Sequence, residues 1–128
     1  MDHVIYSFEK LEAWLKAKEL VKNVYSVTQS FPKNEQFGLT QQIRRAAVSV
    51  ASNIAEGSGR KSPKDKAHYS VMAFGSILEV INQLILANEL EFIEEKIYQN
   101  TRKLAQETSY MINALYKQQI SGSKKKIL

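Results

Sequence analysis

Asp65-x-x-His68 sets a carboxylate and an imidazole one turn apart on one helix face. Helical di-metal centres use that spacing, but they need it twice, with two further carboxylates pointing inward. The only other histidine is His3, near the start of the chain, and no glutamate ladder follows the apolar stripes. The loop Gly57-Ser58-Gly59-Arg60-Lys61-Ser62 has the residue types of a phosphate loop. A nucleotide loop needs its lysine directly after a glycine, and a strand before it. Here Lys61 follows Arg60, and a helical pattern precedes the loop. What remains is a loose anion site at the next helix start, with free N–H groups beside Lys64 and Lys66. Arg60 and His68 have seven residues between them and straddle that start, so they do not form the Arg–His pair of a helical ribonuclease. The chain has no cysteine, hence no thiol nucleophile, disulfide or thiolate metal site. The residues point to a protein that is not an enzyme and uses no cofactor and no metal.

The elements that carry these residues read as helices throughout. Trp14, Ala17, Val21, Val24, Thr28 and Phe31 recur at spacings of three and four, with Leu20 and Val27 widening the stripe. This predicts a helix over 8–30, capped by Ser7 and closed at Phe31-Pro32. A second helix over 39–56 has the stripe Ile43, Ala47, Val50, Ile54, with Thr40 as cap and Gly57 in the left-handed position past its end. Ser62-Pro63-Lys64-Asp65 opens a third, reaching about Leu90, on the stripe Ala67, Val71, Phe74, Leu78, Ile81, Ile85, with Ile77 and Leu84 beside it. A fourth, over 94–119, uses Ile97, Thr101, Leu104, Thr108, Met111 and Leu115, with Ile93 helping to close the turn before it. Short connections between four amphipathic helices give an all-α, antiparallel up-down-up-down four-helix bundle over 1–120. Residues 121–128 read as a basic, flexible tail. The apolar run Val71 to Leu90 contains Glu79, Asn82 and Gln83, so it reads as a core helix and no membrane role is expected. MDHVIYSFEK has no apolar leader segment, and a cytoplasmic location is expected.

The segment Gln42 to Arg60 is rich in small residues, and the third helix answers it with Ala73, Gly75 and Ser76. Two such helices approach closely. A hairpin turning at residue 60 sets Arg45 near Gly75 and Ser49 near Val71. Arg44 or Arg45 then pairs with Glu79, with Arg45 lying across Gly75, while Asn53 and Glu56 bridge near the helix end. The same residues suit an interface with another copy or a ligand.

Of the net charge of +5, three units come from Lys124, Lys125 and Lys126, leaving +2 for the rest. In an up-down bundle, Arg60, Lys61, Lys64 and Lys66 share an end with Lys117 and the tail lysines. Glu89, Glu91, Glu94 and Glu95 gather at the other end. The basic end suits phosphate contact, which would weaken with salt. Tyr25, Tyr69, Tyr98, Tyr110 and Tyr116 lie on or beside the apolar stripes, at the core edge or at a protein interface.

FEKLEAWLKAKEL, FPKNEQFGLTQQIRRAAVSVASNIAEGSGR and FGSILEV together resemble the 23S rRNA intervening-sequence protein family of small bacterial four-helix bundles. The resemblance runs from Phe8 to Tyr116. It is carried most by Phe31-Pro32, Phe37-Gly38-Leu39, Gln42 to Ala46, Ser49, Ser52 to Gly57, and Gly75-Ser76 with Glu79. Family members often have proline where this chain has Ala51, which should leave helix two straighter. A related branch is the accessory variability determinant of diversity-generating retroelements, a pentameric bundle that binds RNA and a reverse transcriptase. The resemblance therefore implies a homo-pentamer with RNA or a reverse transcriptase as partner. Two functions follow as expectations. One is a non-catalytic, RNA-associated oligomer that works through its basic end. The other is a homo-oligomeric protein–protein adaptor with no nucleic-acid role.

Overall fold

The computed structural model describes residues 2–127, and of 123–127 the backbone path alone. The expected tail of 121–128, with Lys124, Lys125 and Lys126, thus lies largely outside the described side chains. Among the described residues there are only helices: α1 (Glu12–Val27), α2 (Leu39–Ser58), α3 (Pro63–Glu89) and α4 (Glu95–Ile127), with 3-10 turns at Ser7–Lys10, Thr28–Ser30 and Lys33–Glu35. Each helix packs on its two neighbours, α1 and α4 closing the ring. Facing pairs run in opposite directions. Asn23 meets Thr101 and Lys16 meets Glu107 across α1 and α4, while Ser70 meets Gln119 across α3 and α4.

Leu20, Val24, Ile43, Val50, Ile77, Val80, Leu84 and Ile112 are fully buried and form the centre. At about 25 cal/mol per Å² of apolar surface removed from water, such side chains stabilise the fold by roughly 1.5–3 kcal/mol each. The proline start of α3 is as expected, with the Ser62 hydroxyl accepting from the Asp65 N–H at 3.0 Å. Ile93 is buried in the α3–α4 turn.

Several local expectations are corrected. Ser7 caps nothing; the first turn is held by the Tyr6 N–H donating to Glu9 at 2.8 Å. Thr40 lies inside α2, whose cap residue is Gly38. Gly57 is not a left-handed terminator: α2 continues through it to Ser58, and no glycine has positive φ among the described residues. The reason is contact. A Cβ on Gly57 would sit 2.6 Å from the Tyr69 Cβ, so the helix needs glycine there to pass α3. Gly75 has nothing within 4 Å of such a Cβ, and the expected crossing of Arg45 over it does not occur.

The α2–α3 register also differs. Ser49 faces Ser76 rather than Val71. Side chains lean toward their helix N-terminus, away from the turn on α2 and toward it on α3. Facing pairs therefore shift outward along α3. On α3 itself the buried line is Ala67, Ser70, Ala73, Ile77, Val80, Gln83, Leu84 and Ala87. The bulkier expected stripe is rotated outward, with Val71 54% and Leu78 51% exposed. The close α2–α3 seam takes the small residues and displaces the large ones. In α4, Tyr98 is buried in place of Ile97.

Candidate functional site

The chain turn between α2 and α3 builds the basic end. Arg60 is not free there. Its guanidinium contacts Glu56 Oε1 at 3.0 Å, donates to the Tyr69 hydroxyl and stacks on that ring at 4.6 Å. Lys66 is half-buried and donates to the Ser58 carbonyl at 2.9 Å, which satisfies one of the last carbonyls of α2. Both therefore hold the α2–α3 corner together. Lys61 and Lys64 are exposed and have no ion-pair partner among the described residues. An apolar cleft of about 400 Å³ lined by Pro63, Lys64, His68, Val71, Tyr116 and Ile120 brings the start of α3 against the late part of α4. Exposed Lys117 thus joins this end.

The small-residue segment of α2 divides by face. Arg44 turns to α1, not α3: its Nε donates to Thr28 Oγ1 at 2.8 Å and its Nη2 to the Tyr25 carbonyl at 3.3 Å, and the group lies 4.6 Å over the Tyr25 ring. Arg45 and Glu79 line one groove of about 360 Å³ with Gln42, Ala46 and Ser49. They form no ion pair within 4.0 Å, so the expected Arg–Glu79 bridge is corrected for both arginines. The seam is held instead by neutral groups. The Ser49 and Ser76 hydroxyls are 2.9 Å apart, and Asn53 Nδ2 donates to the Ser49 carbonyl and hydroxyl at 2.9 and 3.1 Å. Glu56 accepts from Arg60 and, at 3.4 Å, from the Tyr69 hydroxyl.

Two features escaped the sequence reading. One is a groove between α1 and the start of α2, lined by Tyr25, Gln36, Phe37, Thr40, Gln41, Arg44 and Arg45. Phe37, 83% exposed, was its only sequence signal: an aromatic in a polar turn. The other is the outward apolar line of α3, where Val71, Met72, Leu78 and Leu86 are exposed and Phe74, Ile81 and Ile85 are half-buried. That helix is long and apolar enough to cross a membrane by composition. Here it packs between α2 and α4 and carries exposed Glu79 and Asn82.

His68 packs edge-on against Tyr69, and no group of three or more metal-ligating side chains occurs among the described residues. Asp65 and His68 are both exposed on the first turns of α3 and gain no further ligand from other helices.

Among solved structures, a protein of unknown function from the S23 ribosomal protein family of Bacteroides thetaiotaomicron matches with a TM-score of 0.74. The match covers 82% of this chain and 98% of that one, at 20% identity, and so speaks to the fold. No curated protein matches the chain. The model of the 23S rRNA-intervening sequence protein family matches residues 9–114. That span takes in α1, α2, α3 and most of α4, with the Ser49–Asn53–Ser76 seam and both new surfaces. The chain belongs to the 23S rRNA-intervening sequence protein family.

Proposed function

We propose that the protein is a non-catalytic, self-associating helical scaffold whose α3 outer face is the contact between copies. The carrying observation is that face. Val71, Phe74, Leu78, Ile81 and Ile85 repeat at heptad spacing, the pattern of a helix that packs on another helix. Val71 and Leu78 are nevertheless half exposed in the single chain. An apolar line of that length in water marks an interaction surface. A second copy is the occupant we favour, because the family resemblance implies a homo-oligomer, a ring of five, in which this apolar line meets a different face of the next copy.

The test is the mass in solution by light scattering. A multiple of the chain mass is expected for the wild type, and a single-chain mass for Leu78→Glu with helical circular dichroism retained. A monomeric wild type at tens of micromolar overturns the reading.

RNA association is the second reading, favoured by Lys61 and Lys64, exposed and unengaged at the end shared with Lys117. Arg60 and Lys66 contribute less than their charge suggests, being held by Glu56, Tyr69 and Ser58. A labelled rRNA fragment should bind in low salt and lose affinity as salt rises. Lys61→Glu with Lys64→Glu should weaken it. Binding indifferent to salt and to these changes rejects the basic-end contact and leaves the adaptor. A reverse transcriptase is the protein partner to test first in that case.

A further inference from the structure

We infer that the groove between α1 and the start of α2 binds a nucleotide, taking its phosphate on Arg44 and Arg45 and its base on Phe37. This site lies at the opposite end of α2 from Lys61 and Lys64, and it does not rest on self-association.

Four observations converge. First, the groove, of about 350 Å³, is lined by two arginines and no acidic residue. Arg44 is held in place by Thr28, the Tyr25 carbonyl and the Tyr25 ring, yet those bonds use only its Nε and Nη2. Its Nη1 is left without a partner, and Arg45 makes no hydrogen bond or ion pair among the described residues. A fixed fork beside a free one matches the several acceptor oxygens of a phosphate.

Second, the start of α2 has N–H groups to offer. Leu39 donates to Glu35 Oε1 at 3.1 Å and Gln42 to the Gly38 carbonyl at 3.1 Å. The N–H groups of Thr40 and Gln41 have no partner among the described residues. The Glu35 carboxylate at this helix start takes the Leu39 N–H and leaves the next two N–H groups of the same turn open.

Third, Thr40 is 7% exposed, and its hydroxyl has no hydrogen-bond partner. The other buried threonines are all satisfied: Thr28 by the Val24 carbonyl, Thr101 by Asn23, Thr108 by the Leu104 carbonyl. Thr40 cannot use the helical carbonyl four residues back, because α2 begins at Leu39. Thr40 lines the groove, with its buried hydroxyl still unpaired.

Fourth, Phe37 is 83% exposed on the rim, and half-exposed Tyr25 lies under Arg44. An exposed phenyl ring beside cations is a stacking platform for a base. A simple anion would leave it unused.

Calorimetric titration with 5′-adenosine monophosphate, inorganic phosphate, adenosine and a six-residue oligoadenylate tests the inference. Adenosine monophosphate should bind more tightly than either phosphate or adenosine. Arg45→Ala should weaken it roughly tenfold, as for a lost charge-assisted bond. Phe37→Ala should weaken the nucleotide and leave phosphate unchanged. Thr40→Val should weaken it without lowering thermal stability. Lys103→Ala, at an exposed cation of α4 that lines neither this groove nor the cleft at the basic end, should change none of these. If the oligoadenylate binds tighter than the mononucleotide, the source is a single strand; if not, it is a free nucleotide. No heat with adenosine monophosphate, phosphate binding as tightly as the nucleotide, or binding indifferent to Arg45→Ala and Phe37→Ala overturns the inference.

Discussion

Two glycines in neighbouring helices should respond to alanine in opposite directions. In an exposed helix interior, alanine is better than glycine by about 1 kcal/mol. Gly75 is exposed, with open space where a Cβ would go, so Gly75→Ala should stabilise by about that amount. Gly57 gains the same propensity but meets the Tyr69 Cβ at 2.6 Å. That atom sits directly on the α3 backbone, so it cannot swing aside as a side-chain tip would. Pushing the helices apart costs about 1–3 kcal/mol, typical of overpacking, and the net for Gly57→Ala is a loss of up to about 2 kcal/mol. The shift would also pull Tyr69 from Arg60 and Glu56. Urea unfolding of wild type and both variants, at a concentration where all three have the same mass, gives the sign directly. Gly75→Ala should unfold at higher denaturant and Gly57→Ala at lower, with unchanged m-values. A Gly57→Ala protein as stable as Gly75→Ala would refute the close-approach account of α2 and α3.

Two further substitutions test local features. Glu91 ends α3 with φ of 62°, and the Phe92 N–H closes the turn onto the Ala87 carbonyl at 2.9 Å, so a residue with a Cβ occupies a glycine-favouring conformation; Glu91→Gly should raise stability by about 1 kcal/mol in the same urea assay, and a decrease would contradict this geometry. The Gln83 side-chain oxygen is buried without a partner, so Gln83→Leu should be neutral or stabilising by about 1 kcal/mol by thermal melting, whereas a loss of several degrees would mean that the amide has a partner in solution.

The helical architecture was legible because two signals agreed at each element. Ser62-Pro63 with Asp65 marked the start of α3, and Ile43, Ala47, Val50 and Ile54 marked the core face of α2; all four stripe residues are buried. Legibility failed where two faces of one helix are apolar. On α3 the bulky heptad line competes with Ala67, Ser70, Ala73 and Ala87, and hydropathy favours the bulky line. The close seam selects the small one, and only the distance between helices decides this. The same distance assigns Gly57 to packing, although its place before a loop suggested a terminator. The end of α3 gave no glycine signal because Glu91 fills that role. Charge misled at Arg60 and Lys66, since counting cations does not show which are already bonded. The α1–α2 groove needed the fold, because Tyr25 and Arg44 belong to different helices and meet only when those pack.

The assignment of α3's outer line to contact between copies is tested most directly by thiol labelling, since the chain has no cysteine of its own. Leu78→Cys places a single thiol in the line, and Lys61→Cys places one at the exposed corner as a control. The expected result is that maleimide reacts with the Leu78→Cys protein many times more slowly than with the control at high protein concentration, and that the difference closes on dilution. Equal rates at every concentration would show the α3 face open to water and contradict the account.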